Sequence, residues 1–150
     1  MKNSTTFTLE NQRGEKVKLS DELQKHKVLL YFYPKDMTPG CTTESIGFSK
    51  IKDELLEKGV KVFGISADDV SKHKKFCEKE NLSIDLLADI DHEVAETYGV
   101  WQEKSMFGKK YHGISRESFL INQNGAIEKH WEKVKPLDHP QEVLDYVNSN

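Results

Sequence analysis

The stretch YFYPKDMTPGCTTES, residues 31–45, places Cys41 where an apolar run breaks into a loop with two prolines and a glycine and a helix can begin. If Thr38 caps that helix, Cys41 falls in its first turn, where unpaired backbone N–H groups and the positive end of the helix dipole favour thiolate over thiol. The thiolate is the nucleophilic form of cysteine. Thr38 also offers a hydroxyl one turn before the sulfur, able to donate to or accept from a bound oxygen. Gly40 removes a side chain beside it, and Pro34 and Pro39 stiffen the loop. Together these residues describe a small rigid pocket around one activated sulfur. Cysteine is also a common core residue, and a Thr-Pro pair often merely starts a helix, so spacing alone leaves both readings open.

The second cysteine, Cys77, lies in a polar segment far from the first, and the chain has only two arginines, Arg13 and Arg116. In a reducing compartment two thiols serve inert burial, metal binding or redox chemistry. No C-x-x-C or H-E-x-x-H occurs, and His26, His73, His92, His112, His130 and His139 are scattered, so no metal site is expected. Cys77 is either a reactive partner for Cys41 or a small hydrophobe packed beside Val70 and Phe76. Arg116, at the start of a strand-like run, offers a fixed fork of donors and a permanent charge that favours a nearby thiolate. Its plainer role is a surface ion pair with Glu117 or another acid.

The elements that position these residues follow from periodicity. TFTLE and EKVKL alternate around the turn-like NQRG and predict an N-terminal hairpin. KVLLYFY is dense enough for a central strand covered on both faces. A helix from Thr38 carries Phe48, Ile51 and Leu55 at helical spacing and stops at Gly59. VKVFGIS reads as a second buried strand, DDVSKHKKFCEKENL as a helix capped by its aspartates, IDLLAD as a short strand and DHEVAETYG as a short helix. SFLINQNGAIEKHW is a hairpin, and DHPQEVLDYV is a closing helix with Val143, Leu144 and Val147 on one face. The order predicts one α/β domain over residues 1–150, a thioredoxin-like fold with a mixed sheet, helices on both faces and an N-terminal hairpin extension.

With 36% hydrophobic and 31% charged residues and a net charge of -3, the chain has an ordinary globular balance and no broad basic surface. Nucleic acid and anionic membrane are therefore not expected as partners. The N-terminal segment lacks an apolar signal region and no run is long enough to span a bilayer, so the expected location is the cytoplasm.

YPKDMTPGCTTE closely resembles the active-site segment of the Q-type peroxiredoxins, also called bacterioferritin comigratory proteins. Their Pro-x-x-x-Thr-x-x-Cys pattern is met by Pro34, Thr38 and Cys41, and the likeness continues through KVFGISADD and YGVW to GISRESFLIN. The resemblance implies a thiol-dependent peroxidase acting on hydrogen peroxide and organic hydroperoxides, without cofactor or metal, and monomeric as many such relatives are. It implies Cys41 as peroxidatic nucleophile, Thr38 as the hydroxyl that orients the peroxide, and Arg116 as the cation near the sulfur. Pro34 would shield the pocket from bulk water, while Gly40, by its lack of a side chain rather than by the resemblance, lets a small substrate approach the backbone closely. Glu44 also fits the pattern, as an acid that could steer Arg116.

Many Q-type members carry a resolving cysteine five residues after the first, where this chain has Ile46. Another branch uses a cysteine near position 77, so the resemblance implies an intramolecular Cys41–Cys77 disulfide recycled by thioredoxin or a similar dithiol. Two other functions compete: a peroxide-sensing or chaperone-like redox protein built on the same pocket, and a thioredoxin-like thiol-disulfide oxidoreductase. The last is weakened because Thr42, Thr43 and Glu44 follow Cys41 where a C-x-x-C pair would be needed.

Overall fold

The computed structural model describes residues 2–149. The alternating segments near the start form the expected antiparallel hairpin, β1 (Thr8–Glu10) and β2 (Lys16–Lys18). A five-residue helix that carried no sequence signal, α1 (Leu19–Leu23), follows and buries Leu19 and Leu23. Next come β3 (Lys27–Phe32), α2 (Pro39–Glu57), β4 (Val60–Ser66), α3 (Val70–Glu80), β5 (Asp85–Ala88) and α4 (Glu93–Thr97). A second unforeseen feature is the separate ribbon of β6 (Trp101–Met106) and β7 (Lys109–Ile114). The predicted last hairpin is β8 (Glu117–Ile121) with β9 (Ile127–Trp131), and α5 (His139–Ser149) closes the chain.

The main sheet has the order β2-β1-β5-β4-β3-β8-β9. β3, β4 and β5 are parallel, and β8 runs antiparallel to β3. The crossovers β3-α2-β4 and β4-α3-β5 step in the same direction, and right-handed crossovers then put α2 and α3 on the same face. The core divides accordingly: Leu29, Tyr31 and Tyr33 pack with Cys41, Phe48, Phe76, Cys77 and Val143 on one face. Val28, Leu30 and Phe32 pack with Leu19, Leu23, Val94 and Ala95 on the other. β3 is thus covered on both sides, as its unbroken apolar run requires.

The start of α2 is fixed by its neighbours. Tyr31 stacks on Phe48 with ring centroids 4.6 Å apart, and its hydroxyl is 2.8 Å from Ser45 Oγ, so the helix is pinned to β3 one turn past Cys41. Gly64 on β4 makes space for that tyrosine: a Cβ there would lie 2.7 Å from Tyr31 Oη. The carboxyl ends of β3 and β4 open into the loops of residues 34–38 and 67–69. Glu117 pairs with Phe32 across the antiparallel register, which brings the residue before it, Arg116, to the same edge. A ligand site is favoured at such an edge of an open α/β sheet.

Candidate active site

Thr38 occupies the N-cap position of α2 with extended backbone, and Pro39 stands at its first turn. The expected position is correct, but the side chain does something else. It makes no cap bond; its hydroxyl donates to Lys35 O at 2.8 Å. With its proton committed there, Oγ1 keeps only acceptor capacity for any further partner. The Thr42 N–H makes an intrahelical bond to Thr38 O at 2.9 Å. The N–H groups of Gly40 and Cys41 precede it and have no intrahelical acceptor, while Pro39 has no N–H to compete.

Cys41 is fully buried. Arg116, 75 positions away, donates from Nη2 to Cys41 Sγ at 3.4 Å and from Nη1 to Glu44 Oε1 at 2.8 Å. The ordinary expectation for this arginine, a pair with an acid, is therefore met by Glu44, while Glu117 turns to His130 at 2.7 Å. Burial works against the guanidinium charge, yet Cys41 and Glu44 more than offset it and hold the Arg116 pKa above its ordinary value. Glu44 is fully buried, with Oε2 lacking a hydrogen-bond partner. Burial pushes its pKa from 4.5 up to about 7, with Arg116 pulling the other way.

Gly40 has a use that sequence reasoning did not foresee. A Cβ there would stand 3.2 Å from Arg116 Nη2 and 3.4 Å from Pro136 Cγ, so the missing side chain makes room for the arginine itself. Pro34 is half-buried at the loop's start. Lys104 of β6 was not anticipated either: its Nζ donates to Ile114 O at 2.5 Å. Burial, then Arg116, lowers its pKa, and Cys41 opposes that shift, so it is a second cation within electrostatic reach of the sulfur.

Cys77 lies on the buried face of α3 with His73 and Phe76, and both thiols are free. It shares a core cluster with Cys41, so the structure brings both cysteines to one face of the sheet. Burial, aided by Asp36 and Asp85, raises its pKa to about 12. Beneath the loop lies a network absent from the sequence reading. Asp36 Oδ1 accepts from Tyr33 Oη at 2.6 Å, Asp36 Oδ2 is 2.6 Å from His73 Nδ1, and the Asp36 N–H donates to Asp68 Oδ2 at 2.8 Å. The signal that could have exposed it is the spacing of His73, Phe76 and Cys77, three residues on one helical face.

The sequence profile of the AhpC/TSA family matches residues 2–130. The chain belongs to that family. Among its relatives, the putative peroxiredoxin Bcp of Haemophilus influenzae is 50% identical over 143 residues, covering 95% of this chain and 92% of the relative. Peroxiredoxin Bcp of Escherichia coli K12 is 48% identical over 144 residues, covering 96% and 92%. A solved structure of Xanthomonas campestris peroxiredoxin Q superposes with a TM-score of 0.90 at 35% identity, over 96% of this chain and 90% of that one. This chain is accordingly a thiol peroxidase of the Bcp, or Q-type, peroxiredoxins with the thioredoxin-like fold. The Xanthomonas protein has also been solved as two single cysteine-to-serine mutants, whose replaced cysteines are as far apart in sequence as Cys41 and Cys77. A further structure of it concerns alkyl peroxide reduction.

No helix among the described residues is long and apolar enough to cross a membrane.

Proposed function

We propose that Cys41 is the peroxidatic nucleophile and Cys77 the resolving thiol of a cycle recycled by thioredoxin or a similar dithiol. The observation that carries the first role is the Arg116 guanidinium, which bridges Cys41 Sγ and Glu44 at the mouth of α2. The Cys41 thiolate attacks one oxygen of a hydroperoxide; an S–O bond forms, the O–O bond breaks, and the leaving oxygen takes up the proton that the thiol gave up. Thiol and hydroperoxide thus become sulfenic acid and an alcohol, or water for hydrogen peroxide. Arg116 and the free N–H groups of the first turn face the charge that develops on the oxygens. Thr38 Oγ1, its own proton donated to Lys35 O, accepts from the peroxide O–H and fixes its approach. Pro34 keeps water from the sulfur's side of the loop, and Gly40 lets Arg116 come close.

Cys77 then attacks the sulfenic sulfur, giving a disulfide and one water. With its pKa at about 12 in the closed fold, Cys77 stays protonated at neutral pH and becomes nucleophilic only as α3 opens and the thiol meets solvent. The matching cysteine separation in the Xanthomonas protein supports this pairing. The same protein's alkyl peroxide reduction supports organic hydroperoxides as substrates beside hydrogen peroxide. We place the enzyme in the cytoplasm, as a monomer.

The test is the intact mass of the monomer after one equivalent of peroxide without reductant. Wild type should lose two hydrogens, Cys77→Ser should stop at a sulfenic or sulfinic adduct, and Cys41→Ser should not react. A wild-type adduct one oxygen heavier, or a covalent dimer, would sink the resolving role of Cys77. Steady peroxide consumption with thioredoxin and its reductase separates the enzyme from a sensor, which reacts once. Insulin reduction at a thioredoxin-like rate would favour the oxidoreductase instead.

A further inference from the structure

The β3–α2 loop and α3 meet at a buried pair, beside which Tyr33 Oη lies 3.5 Å from the ring nitrogen of His73 that faces Asp36. His73 and Asp36 are buried, with Nδ1 and Oδ2 2.6 Å apart, and His73 Nε2 faces Leu87 O at 2.9 Å. A carbonyl only accepts, so Nε2 carries a hydrogen; Oδ1 already accepts from the Tyr33 hydroxyl, so one further proton lies between Nδ1 and Oδ2. Every polar atom of the two side chains is thereby satisfied inside the core, where a lost partner is costly. The loop is also held through its main chain, since the Asp36 N–H donates to Asp68 Oδ2, which accepts from Ser66 Oγ at 2.7 Å. Asp36 stands two residues after Pro34 and two before Thr38; His73 stands one turn before Cys77 on α3. The pair therefore joins the segment that shapes the peroxide pocket to the helix that holds the second thiol.

We propose that His73 is a positioning residue for the peroxidatic site: by gripping Asp36 it latches the loop of residues 34–38 to α3, so that the two open and close as one unit. Latched, the loop presents Thr38 and the first turn of α2 in the geometry that attack requires. Released, the loop and α3 loosen together, and both cysteines gain the freedom that a disulfide needs. The part played in disulfide formation rests on Cys77 being the resolving thiol; the coupling itself does not.

The test compares two amides at one position in the full-length chain. His73→Gln places its amide where Nε2 sits, keeping a donor to Leu87 O and severing Asp36. His73→Asn places its amide where Nδ1 sits, keeping Asp36 and losing Leu87 O. Hydrogen exchange of the reduced proteins should show residues 34–42 and 70–80 both exchanging about tenfold faster in His73→Gln, with the loop protected again in His73→Asn. In single turnovers His73→Gln should form the sulfenic acid more slowly and convert it to disulfide faster, opposite changes that general destabilisation does not give. Asp36→Ala should reproduce the loosening from the other end, and Asp36→Asn, whose amide can donate to a neutral His73, should keep the wild-type exchange pattern. Faster exchange confined to α3 in His73→Gln, or identical behaviour of the Gln and Asn variants, would overturn the latch. Exchange is read on reduced protein and does not involve the disulfide. A wild type that forms no Cys41–Cys77 bond would therefore remove the resolving role, while the exchange pattern still decides the latch.

Discussion

Replacing Glu44 by glutamine isolates an unusual electrostatic feature of the site. Burial raises this carboxyl from 4.5 to about 7, so the folded chain holds a proton that the unfolded chain releases. Below pH 4.5 both states are protonated and the group is neutral to stability. Between pH 4.5 and about 7 the unfolded chain has lost the proton and the folded chain has not, so stability falls as pH rises; above 7 both are ionised and the loss is complete. At about 1.4 kcal/mol for each pKa unit, the full loss is about 3 kcal/mol. In Glu44→Gln the side chain cannot ionise, and its carbonyl can still accept from Arg116 Nη1. The stability difference between variant and wild type should therefore move in the variant's favour by about 3 kcal/mol from pH 4.5 to pH 8. Urea unfolding at several pH values measures it, in a Cys41→Ser background that removes the sulfur from the titration. A difference that stays flat across this range would mean that Glu44 is ionised in the fold throughout, and the picture of a proton-holding carboxyl behind Arg116 would be wrong.

Gly40→Ala should slow sulfenic acid formation several-fold in stopped-flow measurements while leaving the fold intact, because its Cβ would meet Arg116 Nη2 at 3.2 Å; an unchanged rate would show that the arginine has room to spare. Arg116→Ala should slow the same step by roughly a hundredfold, as expected for a lost donor to a developing oxyanion, and Arg116→Lys should recover only part of it. Gly64→Ala should destabilise the chain by about 1–3 kcal/mol in urea, since its Cβ would lie 2.7 Å from Tyr31 Oη and 2.9 Å from Leu86 Cδ2.

The proposed nucleophile was legible because its signal is local. Proline, threonine, glycine and cysteine each act on a few neighbouring backbone atoms, and α2 begins where they place it. The main strands were legible for a related reason: β3, β4 and β8 are buried over nearly their whole length, and burial leaves an apolar run in the sequence. β6 and β7 escaped because their residues are mostly exposed; what holds them is pairing with each other, which leaves little apolar periodicity. Arg116 could be tied to Cys41 only through the family resemblance, because their meeting depends on the antiparallel register of β8 against β3. His73 was harder still. In SKHKKF it is surrounded by residues of a solvated helix, and only the fold shows that it faces a carboxylate 37 positions earlier.

The two halves of the proposed cycle place opposite demands on this fold. Attack needs Cys41 buried, with Arg116 and the helix mouth fixed around it, because preorganised donors act most strongly where water is excluded. Resolution needs the reverse: Cys77, protonated while buried, must reach solvent and Cys41 must leave its pocket. A rigid protein would perform the first step and stop, open to further oxidation of the sulfenic acid. A loose one would form the disulfide readily but seldom assemble the pocket. In the proposed cycle the balance between closed and open forms would set turnover, through the contacts that link the two segments rather than through the sulfur atoms. Strengthening those contacts should make Cys41 easier to overoxidise even as its first reaction quickens, and weakening them should protect it at the expense of rate.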